Sequence, residues 1–318
     1  MKLILPLPIQ DLFTKCVPDL ESYDVVWFDQ AGVPQGDVSG ADIYFRWWTP
    51  RPAFVQTLRD APSIRWVHTA SAGVEHLMLP EILEREQLTL TNSAGAHAIP
   101  IAEFVLLYIL THVKRAFWLK GLPPSEWETP HGTDLGELTD TTILVIGMGQ
   151  IGQEIANRAK SFGMRVIGSR RRPREMPNVD LVVGEDGWRE LLPQADFVVV
   201  AAPLTEATRG MVDADAVARM KQGSYLINIA RGQIVQNDAL LAGLTSGRLA
   251  GAGLDALDPE PLPDGHPLWQ MPNVWVTPHI TYSSPRTRER MVEIFADNLV
   301  RYRAGQPLVN IVDKQAGY

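Results

Sequence analysis

The chain is poor in the features that would tie it to an oxidising compartment, a membrane or nucleic acid. Cys16 is the only cysteine among 318 residues, which excludes an intramolecular disulfide and any thiolate-based zinc site and suits a reducing compartment such as the cytoplasm. No apolar run approaches the roughly 20 residues of a bilayer-spanning helix, Phe104 to Leu110 being among the longest, so no membrane association is expected. Basic side chains are outnumbered, 29 Lys and Arg against 37 Asp and Glu, for a formal charge of −8. Phosphate backbones need the opposite balance, so small molecules or proteins are better partners than nucleic acid. Low-complexity segments and repeats of solenoid period are absent. The opening Met1-Lys2-Leu3-Ile4-Leu5-Pro6-Leu7-Pro8 is broken by two prolines and has no small-residue cleavage site after it, so it reads as an edge strand and not a signal peptide.

What is present is ordinary globular composition, 45% hydrophobic and 21% charged, long enough for two domains at roughly 100–200 residues each. Val25–Phe28, Ile43–Phe45, Ile64–Val67 and Leu88–Leu90 are short apolar runs, with helical stretches near 9–17, 51–60 and 80–86 between them. Strands alternating with helices predict a parallel α/β sheet. From Pro100 to about Lys120 apolar side chains lie on nearly every face of one predicted helix, which must be covered by a second domain or a second subunit. Residues 121–140, with Pro123, Pro124, Pro130 and Gly132, read as a loop or arm. A second α/β series follows, with β-rich runs at 142–146, 165–167, 197–200, 224–228, 251–254 and 274–277, the pattern of a doubly wound Rossmann-like sheet. An amphipathic helix is predicted from about 285 to 303, and 307–310 as a strand returning to the first domain.

Gly147-Met148-Gly149-Gln150-Ile151-Gly152 lies between the first strand of that series and a helical pattern. That context makes the glycine fingerprint a dinucleotide site: Gly147 for a tight turn, Gly149 for close backbone approach to a pyrophosphate, Gly152 for helix–strand packing. An NAD site calls for an acidic residue about 20 positions on. Here the second strand runs instead into Ser169-Arg170-Arg171-Arg172, with Arg174 beyond and Glu175 the first acid. Guanidinium groups at that point would pair with a 2′-phosphate, which argues for NADP over NAD.

Asn228-Ile229-Ala230-Arg231-Gly232, Leu254-Asp255-Ala256-Leu257-Asp258-Pro259-Glu260-Pro261 and Thr277-Pro278-His279-Ile280 resemble, in order, the signature blocks of the D-isomer-specific 2-hydroxyacid dehydrogenases. Ser71-Ala72-Gly73-Val74 resembles that family's substrate loop, Asn92 to Glu103 its crossover, and Pro203-Leu204-Thr205 with Thr208 its pattern after the fourth nucleotide-domain strand. The resemblance covers essentially the whole chain. It implies two α/β domains, a substrate domain at 1–98 and 286–318 and a nucleotide domain at 99–285, with the active site in the cleft between them. It also implies hydride transfer between NAD(P)H and a small 2-oxo acid, glyoxylate or hydroxypyruvate being the leading guess; the apolar faces of the helix at 100–120 add the expectation of a homodimer.

The residue chemistry agrees with these implied roles. Arg231 is the clamp for carboxylate and carbonyl oxygens, a task for its planar fork. His279 is the general acid in reduction and the base in reverse. Glu260 accepts from the far ring nitrogen, fixing the tautomer and favouring the protonated ring. Backbone amides around Ala72 and Gly73 anchor the substrate carboxylate, and Asp255 meets the nicotinamide carboxamide. Pro203, Thr208 and Ala230 border the nucleotide. Tyr44, Phe45, Trp47 and Trp48 are candidates for a substrate wall, Arg46 for a substrate contact and His97 for a residue facing the cleft, while the other histidines read as structural or exposed. Tyr282 stands where related chains carry small residues and would narrow the pocket. Nucleotide-sensing corepressors share the resemblance and are the alternative, disfavoured by the lack of basic segments. A formate dehydrogenase is disfavoured because no long N-terminal extension precedes the first strand.

Overall fold

The computed structural model describes residues 1–127 and 135–317. The chain divides into two compact units, Met1–His97 with Ser284–Tyr318, and Ala98–Ser283. In the first unit β1 (Lys2–Pro6), β2 (Asp24–Phe28), β3 (Ile43–Arg46), β4 (Trp66–Thr69) and β5 (Thr89–Asn92) form a parallel sheet in the order β2-β1-β3-β4-β5. The opening segment is thus an interior strand, not the expected edge. Leu3, Ile4 and Leu5 are all fully buried, and a strand that is apolar on both faces belongs inside a sheet covered on both sides.

Helices α1 (Gln10–Cys16), α2 (Arg51–Asp60) and α3 (Pro80–Leu83) and the C-terminal helix Thr287–Arg303 accompany this sheet. Alternation along β3 sends Phe45 to one face, where its ring lies 5.1 Å from both Phe13 and Phe295. Tyr44 goes to the other face, 5.5 Å from Phe28 and Phe54. His68 is buried within the sheet, its ring nitrogens 2.8 Å from Thr91 Oγ1 and 3.0 Å from Ser93 Oγ, the structural role expected for it. The tail does return to this unit, but as a single antiparallel bridge from Ile311 to Thr91 and not a strand over 307–310.

The second unit opens with α4 (Ala98–Val113) and α5 (Ala116–Lys120), where one continuous helix was predicted. The Gly136 amide donates to the Val113 carbonyl at 3.1 Å, and Arg115 takes the left-handed conformation with φ 47°, so the helical ladder stops there. The expected 121–140 arm, His131 included, lies partly outside the described residues. Then come β6 (Thr142–Ile146), α6 (Gln150–Ser161), β7 (Arg165–Ser169), β8 (Leu181–Val183), α7 (Trp188–Leu191), β9 (Phe197–Val200), α8 (Ala214–Arg219), β10 (Ser224–Asn228), α9 (Asn237–Thr245), β11 (Leu249–Leu254) and β12 (Val274–Val276). The strands form a parallel sheet in the order β12-β11-β10-β9-β6-β7-β8. It has one strand more than the six expected, because β8 is only three residues long. The order reverses between β6 and β9, and ligands of doubly wound sheets bind beyond the carboxyl ends of the strands at such a switch point.

Among the described residues no helix is long and apolar enough to cross a membrane, and no cluster of metal-binding side chains is found.

Candidate active site

The glycine turn sits at that switch point. Gly147 turns the chain with φ +102°, and a Cβ there would lie 2.5 Å from the Ala202 amide nitrogen, so no larger residue fits. The amides of Gly147 and Met148 donate to the Ser169 carbonyl at 3.1 and 2.7 Å, fastening the turn to the end of β7. A Cβ on Gly152 would meet the Gly147 oxygen and Met148 Sδ at 3.0 Å, so α6 packs closely on the turn. Gly149 differs, since a Cβ there would enter open space. It is the N-cap of α6 with no side-chain capping bond, and with Gln150 and Ile151 it presents a helix N-terminus suited to a phosphate. The residues present fit a dinucleotide.

Beyond β7, Ser169 is buried and its carbonyl is spent on the turn. Arg170 is half-buried, with Nη1 3.3 Å from Met176 Sδ, while Arg171, Arg172 and Arg174 are exposed. Burial, with Arg174 adding repulsion, lowers the pKa of Arg170. Thr208 Oγ1 donates to the Pro203 carbonyl at 2.6 Å and accepts from the Thr205 amide at 2.8 Å. The hydroxyl therefore shapes the turn after β9.

The residues with acid–base and clamping potential are brought together by three loops at the carboxyl ends of β10, β11 and β12. Asn228 ends β10 and is buried. Its amide donates to the Arg231 and Ala256 carbonyls at 3.0 and 3.3 Å and its oxygen accepts from the Ala230 amide at 3.1 Å, pinning the first loop to the second. Gly232 completes the contact: a Cβ there would lie 1.9 Å from the carbonyl carbon and oxygen of Leu257. Arg231 Nη1 donates to the Ala230 carbonyl at 2.7 Å. Three residues after Leu257, Glu260 Oε1 lies 2.7 Å from His279 Nδ1. A carboxylate only accepts, so Nδ1 carries a proton and Nε2 is left for substrate. The two side chains are 35% and 40% exposed, so that nitrogen is open to a ligand.

His279 itself has φ 48°, an uncommon left-handed conformation for a residue with a Cβ, which costs of order 1–3 kcal/mol unless its surroundings enforce it. Asp255 does so. Its Oδ1 accepts from Thr277 Oγ1 at 2.6 Å and the Ile280 amide at 2.9 Å, and its Oδ2 from the Thr281 amide at 3.2 Å and Thr281 Oγ1 at 2.6 Å. With both oxygens engaged and the residue 2% exposed, Asp255 is the strut of the His279 turn. Tyr108 of α4 hydrogen-bonds Thr277 Oγ1, and Gly253 makes room for its ring, which a Cβ would meet at 2.6 Å. Asn228, Thr277, Thr281 and Tyr108 were not read from sequence as site residues; the polar side chains flanking His279 were the available signal.

Tyr282 is 39% exposed, its ring centroid 6.4 Å from that of His279. The remaining candidates belong to the first unit. Ala72 and Gly73 follow β4 and are half-buried. Asn92 Nδ2 donates to the Ala72 carbonyl at 2.8 Å, and no carbonyl or side chain among the described residues accepts from the amides of 72 and 73. Arg46 ends β3 and is buried, as is His97. Tyr44, Phe45 and Trp47 are core, so of the proposed aromatic wall only Trp48 is exposed.

A doubly wound sheet with a glycine turn at its switch point and a His–Glu pair beside it defines a nicotinamide-dependent oxidoreductase. The chain belongs to the D-isomer-specific 2-hydroxyacid dehydrogenases: residues 106–281 match the model of that family's NAD-binding domain. It is 35% identical over 257 residues to the glyoxylate reductase/hydroxypyruvate reductase of Homo sapiens, covering 77% of this chain and 76% of that one. With the glyoxylate reductase of Korarchaeum cryptofilum it shares 32% identity, over 83% and 80% of the two chains. The fold matches the crystal structure of an NADPH-dependent glyoxylate/hydroxypyruvate reductase from Sinorhizobium meliloti in complex with NADP and sulfate, with a TM-score of 0.83, 28% identity and 100% and 99% of the chains covered. The chain is thus an NAD(P)-dependent oxidoreductase acting on 2-oxo and 2-hydroxy acids, and the corepressor alternative is not favoured.

Proposed function

We propose that the protein works as an NADPH-preferring reductase of small 2-oxo acids of the glyoxylate and hydroxypyruvate type, giving D-2-hydroxy acids. The His279–Glu260 pair, with Nε2 left accessible in a turn held by Asp255, carries this reading. The bound nucleotide supplies the hydride. The protein holds it through Gly147, Gly149, Gln150, Ile151 and Gly152, with Ser169, Arg170 and Arg171 at the ribose end and Pro203, Thr208 and Ala230 bordering it. Residues 1–98 and 286–318 serve as the substrate domain and 99–285 as the nucleotide domain.

Arg231 receives the carboxylate and carbonyl oxygens, its charge balancing the negative charge that develops on the carbonyl oxygen. His279, in its doubly protonated form, delivers a proton from Nε2 to that oxygen, and Glu260, accepting from Nδ1, keeps the ring in the orientation the transfer requires. The amides of Ala72 and Gly73 are the second anchor for the carboxylate, and Tyr282 limits the bulk that fits beside His279. Arginines in place of an acid after β7, together with the NADP bound to the Sinorhizobium relative, support the NADPH preference.

The working form is a homodimer built around α4. Leu107 of α4, Phe117 and Leu119 of α5 and Trp127 beyond them are large, exposed apolar side chains, and a cavity of about 640 Å³ lined by His112, Phe117, Trp118, Tyr225 and Trp275 lies in the same unit. A partner covering these residues accounts for both. A single cysteine suits work in the cytoplasm.

NADPH oxidation measured with a panel of 2-oxo acids tests the activity: turnover of glyoxylate or hydroxypyruvate is expected, and tight nucleotide binding without turnover of any acid would reject it. Light scattering at micromolar concentration should give twice the 35.3 kDa chain mass, and the chain mass alone would reject the dimer.

A further inference from the structure

Arg46 is 8% exposed, and none of the ion pairs among the described residues gives it a carboxylate partner. Its guanidinium makes two hydrogen bonds, Nη1 to His76 Nε2 at 3.2 Å and Nη2 to the Thr49 carbonyl at 3.1 Å, and lies 5.4 Å from the Phe54 ring centroid. Nε is buried without a hydrogen-bond partner. A buried arginine is normally paired with an anion, because an uncompensated charge in the interior is costly. Burial lowers the pKa of Arg46 and pushes the Tyr44 phenol up to about 12, so Tyr44 remains a neutral donor and cannot act as the counter-ion.

The position is informative. Arg46 is the last residue of β3, and its register partner Thr69 is the last of β4. The Ala72–Gly73 amides follow β4 directly, and His76, which touches Arg46, ends the same loop three residues after Gly73. Adjacent strands are about 4.8 Å apart. An anchor for one carboxylate therefore follows β4, and an unpaired guanidinium ends the neighbouring strand, a separation suited to the two ends of a small diacid.

We infer that Arg46 is a specificity-determining residue that receives an anionic group at the far end of the substrate, so that the enzyme favours 2-oxo dicarboxylates over 2-oxo monocarboxylates of equal length. This rests on the 2-oxo acid reductase reading of the site, and on the Ala72–Gly73 amides holding the first carboxylate.

The test compares kcat/KM with NADPH for oxaloacetate, 2-oxobutyrate and glyoxylate. Wild type should favour oxaloacetate over 2-oxobutyrate at least about tenfold, the scale of a hydrogen bond to a charged group. Arg46→Gln should bring that ratio near one and leave glyoxylate, which has no far end, within about threefold of wild type. Arg46→Lys, which keeps the charge without the fork, should retain part of the preference and serves where the glutamine variant does not fold. A wild-type ratio near one, or a loss shared equally by all three acids, would overturn the inference; the equal loss would make Arg46 only a support for the 71–77 loop. Should no 2-oxo acid be reduced, the reductase reading fails by itself. Calorimetry with D-malate and D-2-hydroxybutyrate on the NADP-loaded protein then still decides: tighter malate binding that disappears in Arg46→Gln supports the role, and equal binding refutes it.

Discussion

Gly232→Ala should impair catalysis far more than folding. The added methyl would sit 1.9 Å from the Leu257 carbonyl and 2.4 Å from the Asp258 nitrogen. These are backbone atoms that no rotamer change can clear, so reaching ordinary contact near 3.4 Å requires the loops to part by about 1.5 Å. One of the loops carries Arg231 and the other Glu260, the partner of His279. A displacement of about 1 Å in a positioned group costs on the order of 10²-fold in rate, whereas overpacking of this kind costs roughly 1–3 kcal/mol of stability. The expected result is a fall of about 10²-fold in kcat/KM for NADPH-dependent 2-oxo acid reduction, with a folded protein whose Tm drops by several degrees. Gly184→Ala is the control, because a Cβ there meets nothing within 4 Å, and it should behave as wild type. If Gly232→Ala keeps wild-type kcat/KM and Tm, the packing of these two loops does not set the geometry of Arg231 and Glu260.

Replacing Arg170 and Arg171 by Ala should weaken kcat/KM for NADPH by about tenfold or more for each guanidinium that pairs with the 2′-phosphate and change that for NADH little; an equal decline with both cofactors would make the arginines a solvated loop. Rising salt should erode the NADPH advantage of the wild type, because exposed charge pairs are screened over about 10 Å at 0.1 M. Glu260→Gln, whose amide can turn a donor towards the His279 ring, should lower turnover about tenfold with NADPH binding intact, and an unchanged rate would contradict the pairing. Burial holds the folded pKa of His68 at about 3 against an ordinary 6.5, so between these values the unfolded chain binds a proton that the folded chain refuses. The stability tied to His68 is complete above about pH 6.5 and is lost as pH falls towards 3, by about 1.4 kcal/mol per unit. Urea unfolding at pH 7 and pH 5 should show this slope, reduced in His68→Gln; an identical slope in the variant would rule it out.

The α/β order, the glycine turn and the catalytic blocks were legible because each is local: apolar runs of strand length, a motif with its flanking strand and helix, and short blocks read in order. What was missed depends on neighbours distant in sequence. Whether Leu3–Leu5 lie at an edge or inside depends on β2 and β3 pairing on its two sides. β8 has three residues between Asp180 and Gly184, too few to show alternation, and it is a strand because β7 pairs with it. The break at Arg115 follows from Gly136 taking the Val113 carbonyl. That Asp255 holds the His279 turn was not legible, because the groups its oxygens accept from lie more than 20 positions away. In the same way, the missing counter-ion of Arg46 shows only when its surroundings are assembled.

Reduction turns on the proton donated by His279, and turnover of the His279→Ala variant beside its affinity for NADPH tests that most directly. General acid catalysis contributes about 10²–10⁴-fold, so kcat should fall by at least ~10² while the Kd for NADPH stays at the wild-type value. A variant that reduces 2-oxo acids at near-wild-type rates across neutral pH would contradict the mechanism.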